Sequence, residues 1–234
     1  MPIQIISNKI AKLLFIFFSI CPVANASLIL DQNRVIYPGA VVQSAMVKIS
    51  NPTKNDYLIQ SWIEDKDGKM QQDIFVDPPL AKIAALHKVA LRISAINPAL
   101  INKPQEQFYW LNVKEIPKID KALGGAQLAI VMRTRVKIFF RPKEVPADMD
   151  SAYKDIEWKH SSAGLQANNP TPYYITFDKV WLNNRKEKNI KADMIPPFST
   201  ILIEKGNTTQ ADTVNYTIIN DFGDISDVVQ KKVH

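Results

Sequence analysis

The chain has 234 residues, 46% hydrophobic and 22% charged, which is ordinary globular usage and excludes a disordered, collagen-like or coiled-coil protein. Lys and Arg number 29 against 23 Asp and Glu, a net charge of +6 that favours an anionic partner. The basic residues are dispersed and no zinc-finger, RRM or P-loop signature occurs, so nucleic acid is not an expected partner.

Residues 1–26 carry the three zones of a secretory signal peptide. Lys9 and Lys12 supply the positive start, Leu13 to Ile20 the apolar centre, and Ala24-Asn25-Ala26 a small-x-small site with cleavage expected after Ala26. The apolar run of 8 residues falls well short of the ~20 that a membrane-spanning helix needs. Bulky Ile20 ahead of Cys21 argues against a lipoprotein. Cleavage leaves 208 residues, a net charge of +4 and no cysteine. Such an exported chain rests on its hydrophobic core rather than on disulfides.

Short β-rich runs dominate the mature chain, with little helical periodicity. Strands are expected at 27–30, 34–37, 44–50, 57–64, 75–77, 87–93, 107–115 and 126–141. Breaks fall at Tyr37-Pro38-Gly39, Asn51-Pro52, Asp65-Lys-Asp-Gly68 and Asp77-Pro-Pro79, where Gly supplies a positive φ or Pro removes a ladder donor. About seven strands in roughly 115 residues is the size of one immunoglobulin-like sandwich. Residues 142–150 are polar, contain two prolines and form the expected linker. Further β runs at 156–160, 165–167, 173–182, 188–192, 199–203 and 213–219 make a second, smaller domain. A last strand is expected to end at Val229, with a loose tail over 230–234. The expected fold is all-β: a signal peptide over 1–26, then two immunoglobulin-like sandwiches over 27–145 and 146–234.

The segment 126–141 is too long for an ordinary strand. Its even positions, Ala126, Leu128, Ile130, Met132, Thr134, Val136, Ile138 and Phe140, share one face, while Arg133, Arg135, Lys137 and Arg141 lie on the other. At ~3.4 Å per residue it would span about 54 Å, against ~17–20 Å for a usual strand. Either a bulge divides it into two core strands, or part of its apolar row has no facing core. An open apolar edge on an exported protein fits strand addition to a partner.

Catalytic spacing is absent. The three histidines, His87, His160 and His234, are scattered, with no HExxH or GxSxG arrangement, so no enzyme activity, metal or cofactor is expected. Glu64, Asp65 and Asp67 crowd a turn sequence. Trp62, Trp110, Trp158 and Trp181 lie in expected strands and are assigned to core packing. A secreted carbohydrate-binding or adhesion sandwich, with Trp and Tyr as its platform, is the alternative function.

A set of ordered segments resembles the PapD-like periplasmic pilus-assembly chaperones across nearly the whole mature chain. They include Leu28-Ile-Leu-Asp-Gln-Asn-Arg-Val-Ile-Tyr-Pro-Gly39, Gln60-Ser-Trp-Ile-Glu64, Phe108-Tyr-Trp-Leu-Asn-Val-Lys-Glu-Ile-Pro117, Arg135-Val-Lys-Ile-Phe-Phe-Arg-Pro142, Asn169-Pro-Thr-Pro-Tyr-Tyr174 and Asn220-Asp-Phe-Gly223. The resemblance implies two sandwiches in an L, with a cleft that holds a pilus subunit lacking its last strand. The chaperone would be non-enzymatic and periplasmic and hand the subunit to an outer-membrane usher; self-association of the free chaperone through the same edge is left open by the sequence. By the match, Arg34 and Lys137 anchor the subunit's C-terminal carboxylate. Leu128, Ile130 and Met132 fill its groove, with Ala126 a smaller contributor. Arg92, Glu106 and Asp221 form an interdomain salt-bridge network, and Tyr173 and Tyr174 either border the cleft or pack within their sandwich. The short loop between Pro117 and Ala126 resembles the branch whose clients form rod-like pili.

Overall fold

A computed structural model describes residues 28–117, 130–149, 151–183, 189–206 and 212–234. The expected signal peptide, Ala126 and Leu128 lie outside these. The first half folds as β1 (Ile29–Leu30), β2 (Arg34–Pro38), β3 (Ala45–Ser50), β4 (Tyr57–Glu64), β5 (Ile74–Asp77), β6 (Leu80–Ile83), β7 (Lys88–Ala95), β8 (Gln107–Pro117) and β9 (Arg133–Arg141). The second contains β10 (Glu157–Ser161), β11 (Gly164–Asn169), β12 (Ile175–Leu182), β13 (Met194–Ile195), β14 (Ser199–Lys205), β15 (Thr213–Ile218) and β16 (Val229–Lys232). Each half is a two-sheet sandwich, as the strand alternation requires.

In the first sandwich a sheet ordered β1-β3-β7-β5 faces one ordered β2-β9-β8-β4-β6. Alternation sets the faces. Val47 and Ile49 of β3 and Ile59 and Ile63 of β4 point into the shared core, whereas Met46, Lys48 and Gln60 point out. Each fully buried Val, Ile or Leu contributes roughly 1.5–3 kcal/mol. The first strand is split between the sheets: β1 pairs with β3, and after Asp31-Gln32-Asn33 the chain crosses so that β2 pairs in parallel with β9. The Asp31 amide donating to the Lys48 carbonyl, and the Lys48 amide donating to Asp31 Oδ1, close the first piece before the crossing. The crossing limits β2 to the stretch of β9 from Lys137 to Arg141.

The second sandwich packs β10-β11-β14 against β13-β12-β15-β16. Its centre is an aromatic cluster of Trp158, Phe177 and Tyr216, with ring centroids 5.6–5.8 Å apart. Val145 and Met149 already belong to this second core, so packing begins within the expected linker, one residue ahead of position 146.

Several local expectations are corrected. The C-terminal strand begins at Val229 rather than ending there, pairs with β15 through Lys232, and leaves no loose tail, because the backbone of His234 bonds with Trp158 and His160. Leu80–Ile83 is an edge strand on β4, concealed in the sequence by the Pro78-Pro79 break. Of the strand expected at 188–192, the described residues form a bridge between Ile190 and Val180, and pairing resumes at β13. Among the described residues, two helical pieces interrupt the β architecture: α1 (Pro98–Ile101), capped by the Asn97 side chain accepting from the Ala99 amide, and a 3-10 turn at Ala152–Asp155.

Candidate functional site

Strand β9 passes from core into solvent. Val136, Ile138 and Phe140 are buried in the first sandwich. Upstream on the same face the row continues into Met132 and Ile130, which are 50% and 67% exposed, with Val131 between them at 48%. Among the described residues, the β8 ladder runs as far as Lys114 opposite Arg133, and beyond it the Glu115 amide donates to the Met132 carbonyl. On its other side β9 pairs with β2 only from Lys137 onward. Among the described residues, the edge from 130 to 136 therefore has no neighbouring strand on that side. Exposed apolar side chains and unpaired backbone groups together form a strand-accepting edge.

Two cations close the lower end of this edge. Arg34 opens β2 and stands directly across from Lys137 in the parallel register, so the two side chains share a face ~4.8 Å apart at the backbone. The Arg34 side chain is buried, its Nη1 donates to the Ile219 carbonyl at 2.8 Å, and its Nε has no hydrogen-bond partner. Burial lowers its pKa, opposed by the charges of Asp221 and Glu106. Lys137 Nζ lies 3.5 Å from Asp193 Oδ1 of the second domain and 5.9 Å from the Trp110 ring centre. A buried guanidinium with an unused donor beside a partly exposed ammonium is suited to hold a carboxylate by charge-assisted hydrogen bonds.

The network joining the two domains centres on Arg141, the last residue of β9. Its Nε donates to Glu106 at 2.8 Å, and Nη1 and Nη2 each donate to Asp221 at 2.7 Å. The guanidinium lies over the Tyr173 ring and also bonds the Ala147 carbonyl. Glu106 further accepts from the Tyr174 amide at 2.7 Å. Burial pushes the Glu106 carboxyl up to about 7, restrained by Arg141 and that amide. Burial opposes the charge on Arg141, but Asp221 and Glu106 outweigh it and hold the proton more firmly than usual. Gly223 serves the same junction: its φ of 88° suits only glycine, and a Cβ there would lie 2.5 Å from the Asn33 side chain. That close approach sets the turn carrying Asp221 against the residue before Arg34.

Arg92 is not in this network. It sits on β7 in the opposite sheet, across from Asp77, and pairs with that residue at 3.2 Å on the surface. Tyr173 is buried, its hydroxyl donating to the linker carbonyls of Pro146 and Asp148, while Tyr174 packs against Phe108 and Phe139 at the junction. The tryptophans divide in two. Trp158 and Trp181 are buried, but Trp62 and Trp110 lie half-buried on the outer face of the β9 sheet, beneath Arg133 and Arg135 with centroid distances of 5.0 and 4.3 Å. In β4 and β8 alternation places them opposite the core-facing Ile63 and Leu111, a parity visible in the sequence.

Among the described residues, two β-sandwiches, an exposed apolar strand edge, a cation pair at its foot and a buried ionic junction define a two-domain all-β class of protein. The family model described as pili and flagellar-assembly chaperone, PapD N-terminal domain, matches residues 27–146, and that of the pili assembly chaperone PapD C-terminal domain matches 151–230. The chain belongs to the PapD family of periplasmic pilus-assembly chaperones, which are non-enzymatic and fold as two immunoglobulin-like domains in an L with a cleft between them. It is 33% identical over 220 residues to chaperone protein FocC of Escherichia coli, covering 92% of this chain and 94% of that one. It is 31% identical over 214 residues to chaperone protein FimC of Escherichia coli K12, covering 90% and 86%. The crystal structure of the periplasmic chaperone SfaE superposes with a TM-score of 0.73 at 28% identity, covering 87% of this chain and 98% of that one.

Proposed function

We propose that this chaperone captures pilus subunits by lending them the edge of residues 126–136, caps the groove left by their missing strand, and passes them to an outer-membrane usher. The observation that carries the reading is the unpaired edge of β9 directly upstream of Arg34 and Lys137. The lane that β2 occupies beside 137–141 is continuous with the lane beside 130–136, so an added strand ends where Arg34 begins. Run parallel to β9, that strand presents its C-terminal carboxylate to the two cations; run antiparallel, it presents an ammonium. Electrostatics selects the parallel direction, and anchoring the chain end fixes the register, since a one-residue slip would turn every side chain to the wrong face. Ile130 and Met132, with Leu128 and Ala126 upstream, then enter the subunit's groove. No nucleotide or metal takes part. The signal peptide is removed after Ala26 on export.

Co-purification from periplasm with a co-expressed subunit tests this, comparing wild type with Lys137→Ala after equal folding is verified by circular dichroism. Recovery of the subunit with wild type and its loss with the variant is the expected result. Equal recovery with both would remove Lys137 from the anchor.

A further inference from the structure

The face of the β9 sheet above the anchor carries positive charge that the described residues leave unbalanced. Cross-strand register places Lys114 opposite Arg133, Asn112 opposite Arg135 and Glu64 opposite Trp110, so these side chains share one outward face with Trp62. Glu64 is the carboxylate within it. Glu64 accepts from Trp62 Nε1 at 2.8 Å and from Arg133 Nη2 at 2.7 Å, while Arg135 reaches it at 3.4 Å. Arg133 is further satisfied by Asn112 Oδ1 through Nε and Nη2 at 3.0 and 2.6 Å. Arg135 has the long Glu64 contact and the stack on Trp110, with its side chain 40% exposed. Among the described residues, Arg133 bonds both Glu64 and Asn112 although its side chain is 44% exposed, whereas Arg135 makes a single bond of 3.4 Å.

We infer that Arg135, supported by Lys114, selects subunits whose terminal strand carries Asp or Glu on the side facing away from the groove. This rests on the strand-capture reading. A strand added along 130–136 alternates its side chains: one set enters the groove beside Ile130 and Met132, and the other shares the face of Arg133 and Arg135. Residues opposite each other on adjacent strands lie within side-chain reach. A client carboxylate in the second set meets a guanidinium whose own partner is 3.4 Å away, so a short charge-assisted bond replaces a long one. A lysine there meets Arg133 and Arg135, with Lys114 one strand further across the sheet and Glu64 already engaged, and is repelled. The client is therefore recognised twice, by its chain end at Arg34 and Lys137 and by acidic residues at alternate positions behind that end.

Three peptides of equal length test the inference, each with alternating valines, a free C-terminal carboxylate, and Glu, Gln or Lys at the intervening positions. Binding to the intact mature chain is read by fluorescence anisotropy at low salt, with an amidated copy of each peptide beside it. The Glu peptide is expected to bind about tenfold tighter than the Gln peptide, as a charge-assisted bond allows, and the Lys peptide more weakly than either. Arg135→Gln brings the Glu and Gln peptides to near-equal affinity, and Arg135→Glu reverses the order of Glu and Lys. Equal affinity for all three, with amidation still abolishing binding, overturns the inference and leaves strand capture standing. Failure of every peptide, free or amidated, overturns both.

Discussion

Replacing Arg141 by Met removes the cation that hydrogen-bonds both carboxylates at the domain junction. The Arg141 and Glu106 side chains are 2% and 1% exposed, and that of Asp221 is 16% exposed. The variant keeps the volume of the side chain but leaves Glu106 buried without its counter-ion, Asp221 without its bidentate partner and the Ala147 carbonyl without its donor. Breaking a buried pair by removing one partner costs about 3–5 kcal/mol, a large part of the ~5–15 kcal/mol that holds a typical protein folded. Urea denaturation followed by tryptophan fluorescence is the assay, because Trp62 and Trp110 report the first domain and Trp158 and Trp181 the second. The double variant Glu106→Leu with Arg141→Met should recover part of the loss, since an apolar replacement leaves no orphaned charge. A loss below about 1 kcal/mol in the single variant, far under the cost of an orphaned buried charge, would refute the assignment of the junction to this network.

Two further outcomes are expected from the same geometry. The Glu106 carboxyl rises from 4.5 to about 7 on folding, mainly through burial. The folded chain therefore holds that proton more tightly, and the contribution to stability is fully present below pH 4.5 and lost as pH rises through about 7. Urea denaturation of wild type and Glu106→Gln across that window should show wild type losing ground as pH rises; a constant difference would contradict it. Asp193 lends Lys137 a carboxylate from the second domain in the client-free state, and its side chain is 90% exposed. Asp193→Asn should therefore tighten binding of a peptide with a free C-terminus by about two- to fivefold, the range of a surface ion pair, and leave its amidated copy unchanged; no difference would show that Asp193 does not compete.

How far each feature can be read from residue order depends on the range over which its signal acts. Period-2 alternation is local, so the β architecture, the two sandwiches and the apolar row running out through Met132 and Ile130 are legible in the sequence. The partner of a charged side chain is not. Arg141 and Arg133 have the same parity in β9, yet one ends in a buried junction because the chain leaves the first sandwich at Pro142, and the other lies in solvent over Trp62. Arg92 offers a similar charge, but its strand lies in the sheet remote from the second domain. The ladder that ties the C-terminal tail is carried by backbone groups and leaves almost no side-chain signature beyond Val229 and Val233. Pairing of Arg34 with Lys137 depends on the crossing at Asp31-Gln32-Asn33, which joins residues far apart in the chain.

Hydrogen exchange over residues 130–136, in the free chaperone and in its complex with a co-expressed subunit, tests strand addition most directly. An added strand pairs with the backbone groups of this edge, so their exchange is expected to slow by about a hundredfold or more in the complex, as groups entering a stable ladder do, while Arg34→Met abolishes the protection along with the complex. Unchanged exchange over 130–136 in a complex that has formed would contradict strand addition at β9.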